Sequence, residues 1–233
     1  YDGDGKSVTL NIEGRAQGNE KHKFVYHKVF PSYATQDDMF GYVGDNTVDS
    51  FVSGINCSIM AYGQTGTGKT YTMMGVLDRM GRVIDAQGLI PRVFNRLFAT
   101  MSRQEDTTDF ELTINFVELY MERINDLLKR GGDENAARRG PVPPQFLRNQ
   151  DEEKLEIREV GDGTLSVTNC TGARVNTMGD AMHVIQSGLQ RRATASTSQN
   201  VESSRSHAVL IVTLKAHERY TKKHRSSQMY LVD

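Results

Sequence analysis

Residues 55–71 read INCSIMAYGQTGTGKTY. The apolar run from Ile55 to Tyr62 has the length and composition of a buried strand. It leads without a gap into Gly63-Gln64-Thr65-Gly66-Thr67-Gly68-Lys69-Thr70, which fits the phosphate-loop pattern G-x-x-x-x-G-K-[ST]. Gly63, Gly66 and Gly68 can take backbone angles closed to other residues, so successive N–H groups turn inward around a polyphosphate. Lys69 adds a positive charge between the terminal phosphates, and the Thr70 hydroxyl is placed to ligate Mg²⁺. A helix opening near Lys69 would aim its N-terminal dipole at the same anion. A chance Gly/Thr-rich turn would not need the spaced glycines, the Lys-Thr pair and the preceding strand to coincide.

Working outward, the 233 residues give enough length for one large domain, or part of one, with a sizeable core. A hydrophobic content of 37% with 24% charged residues suits a globular chain. Lys and Arg number 28 against 29 Asp and Glu, a net charge of −1, so no global field steers the chain to nucleic acid or to a membrane surface. No apolar stretch approaches membrane-spanning length, and no signal peptide is visible. Cys57 and Cys170 form no metal or disulfide framework and read as thiols of a reducing compartment. The chain starts at Tyr1 and stops at Asp233 inside a strand-like run, and it reads as cut at both ends.

Before the loop, residues 23–30 alternate as an early strand or hairpin arm. Thr35 with Asp38 makes a capping box, and Phe40, Val43, Val48, Phe51 and Val52 recur at helical spacing until Gly54. After the loop, residues 73–87 read as a broken helix and exposed loop, and a second helix follows Gly88 with Val93, Leu97 and Phe98 inward. Residues 110–120 alternate as a strand, with a short helix expected over 122–128. The composition then changes abruptly: basic residues, acids and three prolines make 129–154 a long surface insertion. Short strands are expected at 155–158, 164–169 and 173–175, with a turn at Gly161-Asp162-Gly163. Thr177 and Asp180 then cap a helix carrying Ala181, Val184, Ile185 and Leu189. Residues 191–207, RRATASTSQNVESSRSH, are crowded with hydroxyls and have no packing reason to be ordered on their own, although a metal-bound polyphosphate could order them. Alone, this segment would read as a Ser-rich linker. Residues 208–214 are β-prone, and Met229-Tyr230-Leu231-Val232-Asp233 is an apolar strand ending in an acid, where phosphate-loop proteins keep a Walker B aspartate.

Together these residues resemble the kinesin motor domain. Residues 61–73, AYGQTGTGKTYTM, are similar to the kinesin form of the loop. Thr197-x-x-Asn200-x-x-Ser203-Ser204-Arg205-Ser206-His207 is similar to kinesin switch I, and Tyr230-Leu231-Val232-Asp233 to the start of switch II. Weaker matches are Ala34-Thr35-Gln36, Gly88-Leu89-Ile90-Pro91-Arg92 and residues 116–128. The likeness is collinear from Phe24 to Asp233. The alternation of helices and strands predicts an α/β fold, and the resemblance agrees. The expected form is a P-loop NTPase of three layers, α/β/α, with a mainly parallel central sheet covered on both faces. Residues 1–233 would then be a partial motor domain, lacking the rest of switch II, the main microtubule-contacting segments and the neck linker. The Arg-x-Arg-Pro-like strand that opens kinesin domains has no counterpart before Phe24.

The resemblance implies an ATP-dependent microtubule motor that hydrolyses Mg-ATP and couples the γ-phosphate state to microtubule binding and movement. ATP or ADP and Mg²⁺ are the implied cofactors. Microtubules are the implied partner, with no nucleic acid or membrane. The implied location is cytoplasmic, on the cytoskeleton, and any dimerisation would run through segments outside these residues. By position, Gly63, Gln64, Thr65, Gly66, Thr67, Gly68, Lys69 and Thr70 would hold the phosphates, and Tyr71 would stack on adenine. Ser203 and Ser204 would close on γ-phosphate, metal and attacking water, while Asn200 and Arg192 would steady the switch. Arg205 would belong to the catalytic set through a switch II glutamate. Thr70, Ser204 and Asp233 would serve the metal. The alternative is a kinesin-like nucleotide-binding module without motor activity. A GTPase would call for an Asn-Lys-x-Asp guanine motif, which is not found.

Overall fold

The two longest strands are those with the clearest alternation. β6 (Thr108–Tyr120) and β11 (Ser206–Glu218) pair antiparallel along their whole length, from Ser206 opposite Tyr120 to Glu218 opposite Thr108. Leu112, Ile114 and Phe116 on β6 share a buried face with Leu210, Val212 and Leu214 on β11, as a period of two requires. The computed structural model describes residues 3–14, 18–78, 81–129, 155–160, 164–198 and 206–233. All of the expected 129–154 insertion but Lys129 lies outside these residues, as does the 161–163 turn.

Around this pair the central sheet adds β12 (His224–Val232), β3 (Cys57–Met60), β10 (Ala173–Val175) and β7 (Arg123–Asp126). The order is β10-β6-β11-β12-β3, with β7 also on β6. The α/β class stands, but the sheet is mixed and not mainly parallel. Among the described residues, β12 with β3 is the parallel pairing, while β10 with β6, β6 with β11, β11 with β12 and β6 with β7 are antiparallel. Short connections dictate two of these pairings, β11 with β12 and β6 with β7, because residues 219–223 and 121–122 are too few for a crossover and return each strand beside its predecessor.

Four helices lie on one face: α1 (Gln36–Val52), α2 (Lys69–Met74), α3 (Leu89–Arg103) and α4 (Met178–Ser198). α1 begins as expected, with Thr35 and Asp38 exchanging both bonds of a capping box. It is tied to the sheet where the Ser227 hydroxyl donates to Phe51 O at 2.7 Å. α3 fills the centre with Val93, Phe94 and Leu97; each such fully buried side chain contributes about 1.5–3 kcal/mol. α4 lies so close to β6 that a Cβ on Gly188 would fall 2.2 Å from the Phe116 ring. On the other face, the Tyr230 hydroxyl donates to Leu165 O of the hairpin formed by β8 (Glu156–Val160) and β9 (Thr164–Thr168). The second helical layer of the expected three is not among the described residues. A separate hairpin, β1 (Ser7–Gly14) with β2 (Gly18–Val25), precedes α1, so the strand expected at 23–30 ends at Val25.

Three further expectations need correcting. Within the 122–128 stretch expected as a short helix, Arg123–Asp126 form β7 instead, because Met121 and Glu122 both adopt positive φ, 46° and 60°, and turn the chain back on β6. Beyond α2 the expected broken helix gives way to an antiparallel pairing of β4 (Val76–Leu77) with β5 (Val83–Asp85), and Gly75 at φ 93° stops the helix. The polar 191–198 stretch continues α4, held by tertiary bonds: Arg191 donates to Leu127 O at 3.3 Å, and Arg192 pairs with Glu118.

Candidate phosphate-binding site

The parallel pairing of β3 with β12 assembles the site. Val232 lies opposite Met60, and Ala61 N donates to Val232 O at 3.0 Å, so the chain after β3 and the residue after β12 emerge side by side. Asp233 is locked there by reciprocal 2.9 Å backbone bonds with Ala208. The loop then turns through Gly66 at φ 83° and Gly68 at φ 94°, angles that a Cβ disfavours. A Cβ on Gly63 would sit 2.7 Å from the Thr67 hydroxyl, which itself donates to Gln64 O at 2.8 Å. α2 is only six residues long, so the loop's own amides rather than a long helix dipole supply most of the partial positive charge.

The charged groups gather around this cradle. Lys69 Nζ donates to Gly63 O and Gln64 O, each at 3.0 Å. The Thr70 hydroxyl donates to Asp233 Oδ2 at 2.8 Å. Arg192, from α4, donates through Nε to Glu118 Oε1 at 3.3 Å and through Nη2 to Ser206 O and Oγ at 3.0 and 3.2 Å, while Nη1 stops 3.9 Å from Asp233 Oδ2. Among the described residues, buried Asp233 Oδ1 has no hydrogen-bond partner. A cavity of about 640 Å³ is bounded by loop residues 63–66 and 68–71 together with Arg192, Ser206, His207 and Asp233.

Of the residues singled out in the sequence, Gly63, Gln64, Thr65, Gly66, Gly68, Lys69, Thr70, Tyr71, Arg192 and Asp233 therefore meet at one cavity, while Thr67 braces the loop from behind. Asn200, Ser203, Ser204 and Arg205 lie outside the described residues. Sequence reasoning missed Glu118, a buried charge flanked by Val117 and Leu119 on β6. It also missed Gln36, whose Nε2 donates to Tyr71 O at 2.8 Å and ties α1 to α2.

A donor set of one hydroxyl and one carboxylate with an unsatisfied oxygen suits Mg²⁺, which keeps several waters and takes phosphate oxygens rather than a protein cage. Among the described residues no group of three or more His, Cys, Asp and Glu side chains could hold a metal. A second cavity of about 450 Å³ lies at the opposite end of β11 and β12, beside the stacked rings of His217 and His224, and contains none of these residues.

The kinesin motor domain profile matches residues 4–233. Kinesin-like protein 3 of Schizosaccharomyces pombe is 33% identical over 211 residues, 90% of this chain and 34% of that protein. The kinesin heavy chain of Gibberella moniliformis is 32% identical over 232 residues, 99% of this chain and 22% of that protein. The chain thus spans about a third or less of these two relatives. A solved structure described as "Structure of a fast kinesin: Implications for ATPase mechanism and interactions with microtubules" superposes with a TM-score of 0.79 at 29% identity, covering 100% of this chain and 58% of that one.

Proposed function

The chain belongs to the kinesin motor-domain family, and on that premise we propose that it binds and hydrolyses Mg-ATP at the phosphate loop and, in the whole protein, couples the γ-phosphate state to microtubule binding and movement. The observation that carries this reading is the shared cavity: loop amides, one ammonium group, one guanidinium and a metal-type carboxylate converge on about 640 Å³.

In this reading residues 63–70 hold the polyphosphate, and Lys69 exchanges its two carbonyl partners for phosphate oxygens. Tyr71, half exposed beside the cavity, offers its ring face to adenine. Thr70 and Asp233 would hold Mg²⁺, which when bound neutralises charge developing on the transferred phosphoryl group. Arg192 adds a fixed positive charge on the switch side of the cavity. By family position, Ser203 and Ser204 close on the terminal phosphate and orient water, Asn200 steadies them, and Arg205 completes the switch. Hydrolysis then rests on positioning and charge stabilisation of in-line transfer to water. The proposed setting is the microtubule cytoskeleton of the cytoplasm. None of the described helices is long and apolar enough to cross a membrane.

Steady-state ATPase of the whole protein with and without microtubules tests the proposal. Strong acceleration is expected; ATP binding with turnover indifferent to microtubules would make the protein a nucleotide-binding module instead.

A further inference from the structure

We propose that His217 and His224 form a metal site separate from the phosphate loop, a two-imidazole chelate for a divalent transition ion such as Zn²⁺ that clips β11 to β12. The two residues are direct cross-strand partners, and their Nδ1 atoms stand 3.2 Å apart. Two nitrogens on one tetrahedral Zn²⁺, each about 2.0–2.1 Å from the ion, lie about 3.3–3.4 Å from each other, so the pair already has nearly the bite of a chelate. The rings are stacked, with centroids 4.2 Å apart and planes at 26°, and each has to turn about its Cβ–Cγ bond to aim its lone pair at a common ion. His224 is exposed, His217 is only partly buried, and the cavity of about 450 Å³ beside them leaves room for that turn.

The backbone beneath the rings is fixed across three strands. Glu218 N donates to Lys223 O and Lys222 N to Glu218 O, each at 2.9 Å, closing the connection one residue beyond the pair. Arg225, next to His224, is tied to Glu218 and, through Nε at 2.9 Å, to Val52 O. On β6, Asp109 stands opposite His217 and accepts from Arg219 Nε and Nη2 at 3.1 and 2.6 Å. Both of these bonds fall on Oδ1, which leaves Oδ2 to accept from a metal-bound water in the shared cavity. Arg174, Lys215 and Arg225 also line that cavity and oppose a bare cation. The site therefore favours an ion that imidazole holds by coordination over Mg²⁺, which asks for oxygen ligands. Among the described residues no third His, Cys, Asp or Glu completes the set, so water takes the remaining positions. Without an ion, one ring can donate Nδ1–H to the other, and that hydrogen bond is the rival explanation of the contact.

The test is isothermal titration of the whole protein with Zn²⁺ in excess Mg²⁺, which keeps oxygen-only sites filled. His217→Gln and His224→Gln, which put no group where Nδ1 stands, are each expected to weaken one equivalent of Zn²⁺ by at least about tenfold, the least that even an outer-shell partner costs. His183→Gln, exposed on α4, stays within about threefold of the parent. Zn²⁺ also raises the Tm of the parent, as a ligand held only by the folded form does, and leaves the two variants where they were. If His217→Gln is unfolded before Zn²⁺ is added, His224→Gln, at the exposed ring, decides alone. Zn²⁺ affinity or a Tm gain that survives the loss of either imidazole overturns the inference. So does an equal loss in His183→Gln, or a parent that binds Zn²⁺ no more tightly than the double variant, the pair then being a hydrogen bond only. The site is independent of the nucleotide reading, and neither outcome alters it.

Discussion

Lys69 donates to two carbonyls of its own loop, both at 3.0 Å. Those bonds hold the ammonium at the cavity but add little to stability, because each replaces a bond to water. Its worth is therefore expected in binding. Lys69→Ala should weaken Mg-ATP by about 2 kcal/mol or more, roughly thirtyfold, the scale of losing charged hydrogen bonds. Isothermal titration checks this, and an affinity within about threefold of the parent would remove Lys69 from the site. Cys170 makes the opposite case, a reactive residue type in an unreactive place. Burial, aided by the negative charge of Asp126, pushes its thiol up to about 11, so almost none is thiolate at neutral pH. Labelling by a thiol reagent at neutral pH should be much slower in the native chain than in denaturant; equal rates would contradict this environment.

Helix termini and helix packing decide stability at the next scale. Asp38 accepts from the Thr35 backbone N–H and hydroxyl, and these bonds hold its carboxyl below the ordinary 3.8. Because the folded value lies below the unfolded one, the cap's contribution is complete above pH 3.8 and is lost as pH falls through the folded value. An acid melt followed by circular dichroism should therefore show a shallower acid limb for Asp38→Asn than for the parent, and identical limbs would discount the cap. Gly44 and Gly188 separate two packing regimes. A Cβ at either falls 2.2 Å from a phenylalanine ring, Phe40 or Phe116. Phe40 is only partly buried, so the ring has more room to give and Gly44→Ala should cost less than Gly188→Ala, offset by up to about 1 kcal/mol of helix propensity. Phe116 is locked in the core, so Gly188→Ala should cost about 1–3 kcal/mol, read as a lower Tm. A Gly188→Ala chain that melts with the parent would mean α4 is not seated on that ring.

These elements also show what the sequence could convey. α1 was legible because capping box and apolar spacing agree, and the loop was legible because its motif is local. β7 was not, since Met121 and Glu122 reach left-handed angles without the Gly or Asn that signals such a turn. The end of α4 was hidden because Arg191 and Arg192 hold a polar helix through partners distant in sequence, Leu127 and Glu118. For the same reason the cavity's loop side could be read from the motif, whereas Glu118 could not.

In the whole molecule, the helices cover one face of the sheet and leave apolar groups showing on the other. Met60 alternates with buried Ile59 and is 66% exposed, and on the β8–β9 hairpin Ile157 and Leu165 are 58% and 51% exposed. The phosphate loop and Asp233 lie together at the end of the parallel β3–β12 pair, so the proposed nucleotide site draws on residues of this chain. Coupling to a filament is a different demand, because it needs a second site and an element that changes position with the γ-phosphate. These residues span 58% of the fast kinesin chain they superpose on. The expected outcome is that residues 1–233 retain a fluorescent ADP analogue in Mg²⁺ but neither cosediment with microtubules nor hydrolyse ATP faster in their presence, whereas the whole protein does both. Microtubule-stimulated turnover by the 233 residues would place the coupling surface on the strands and helices described here; failure of the whole protein to respond would withdraw the motor reading.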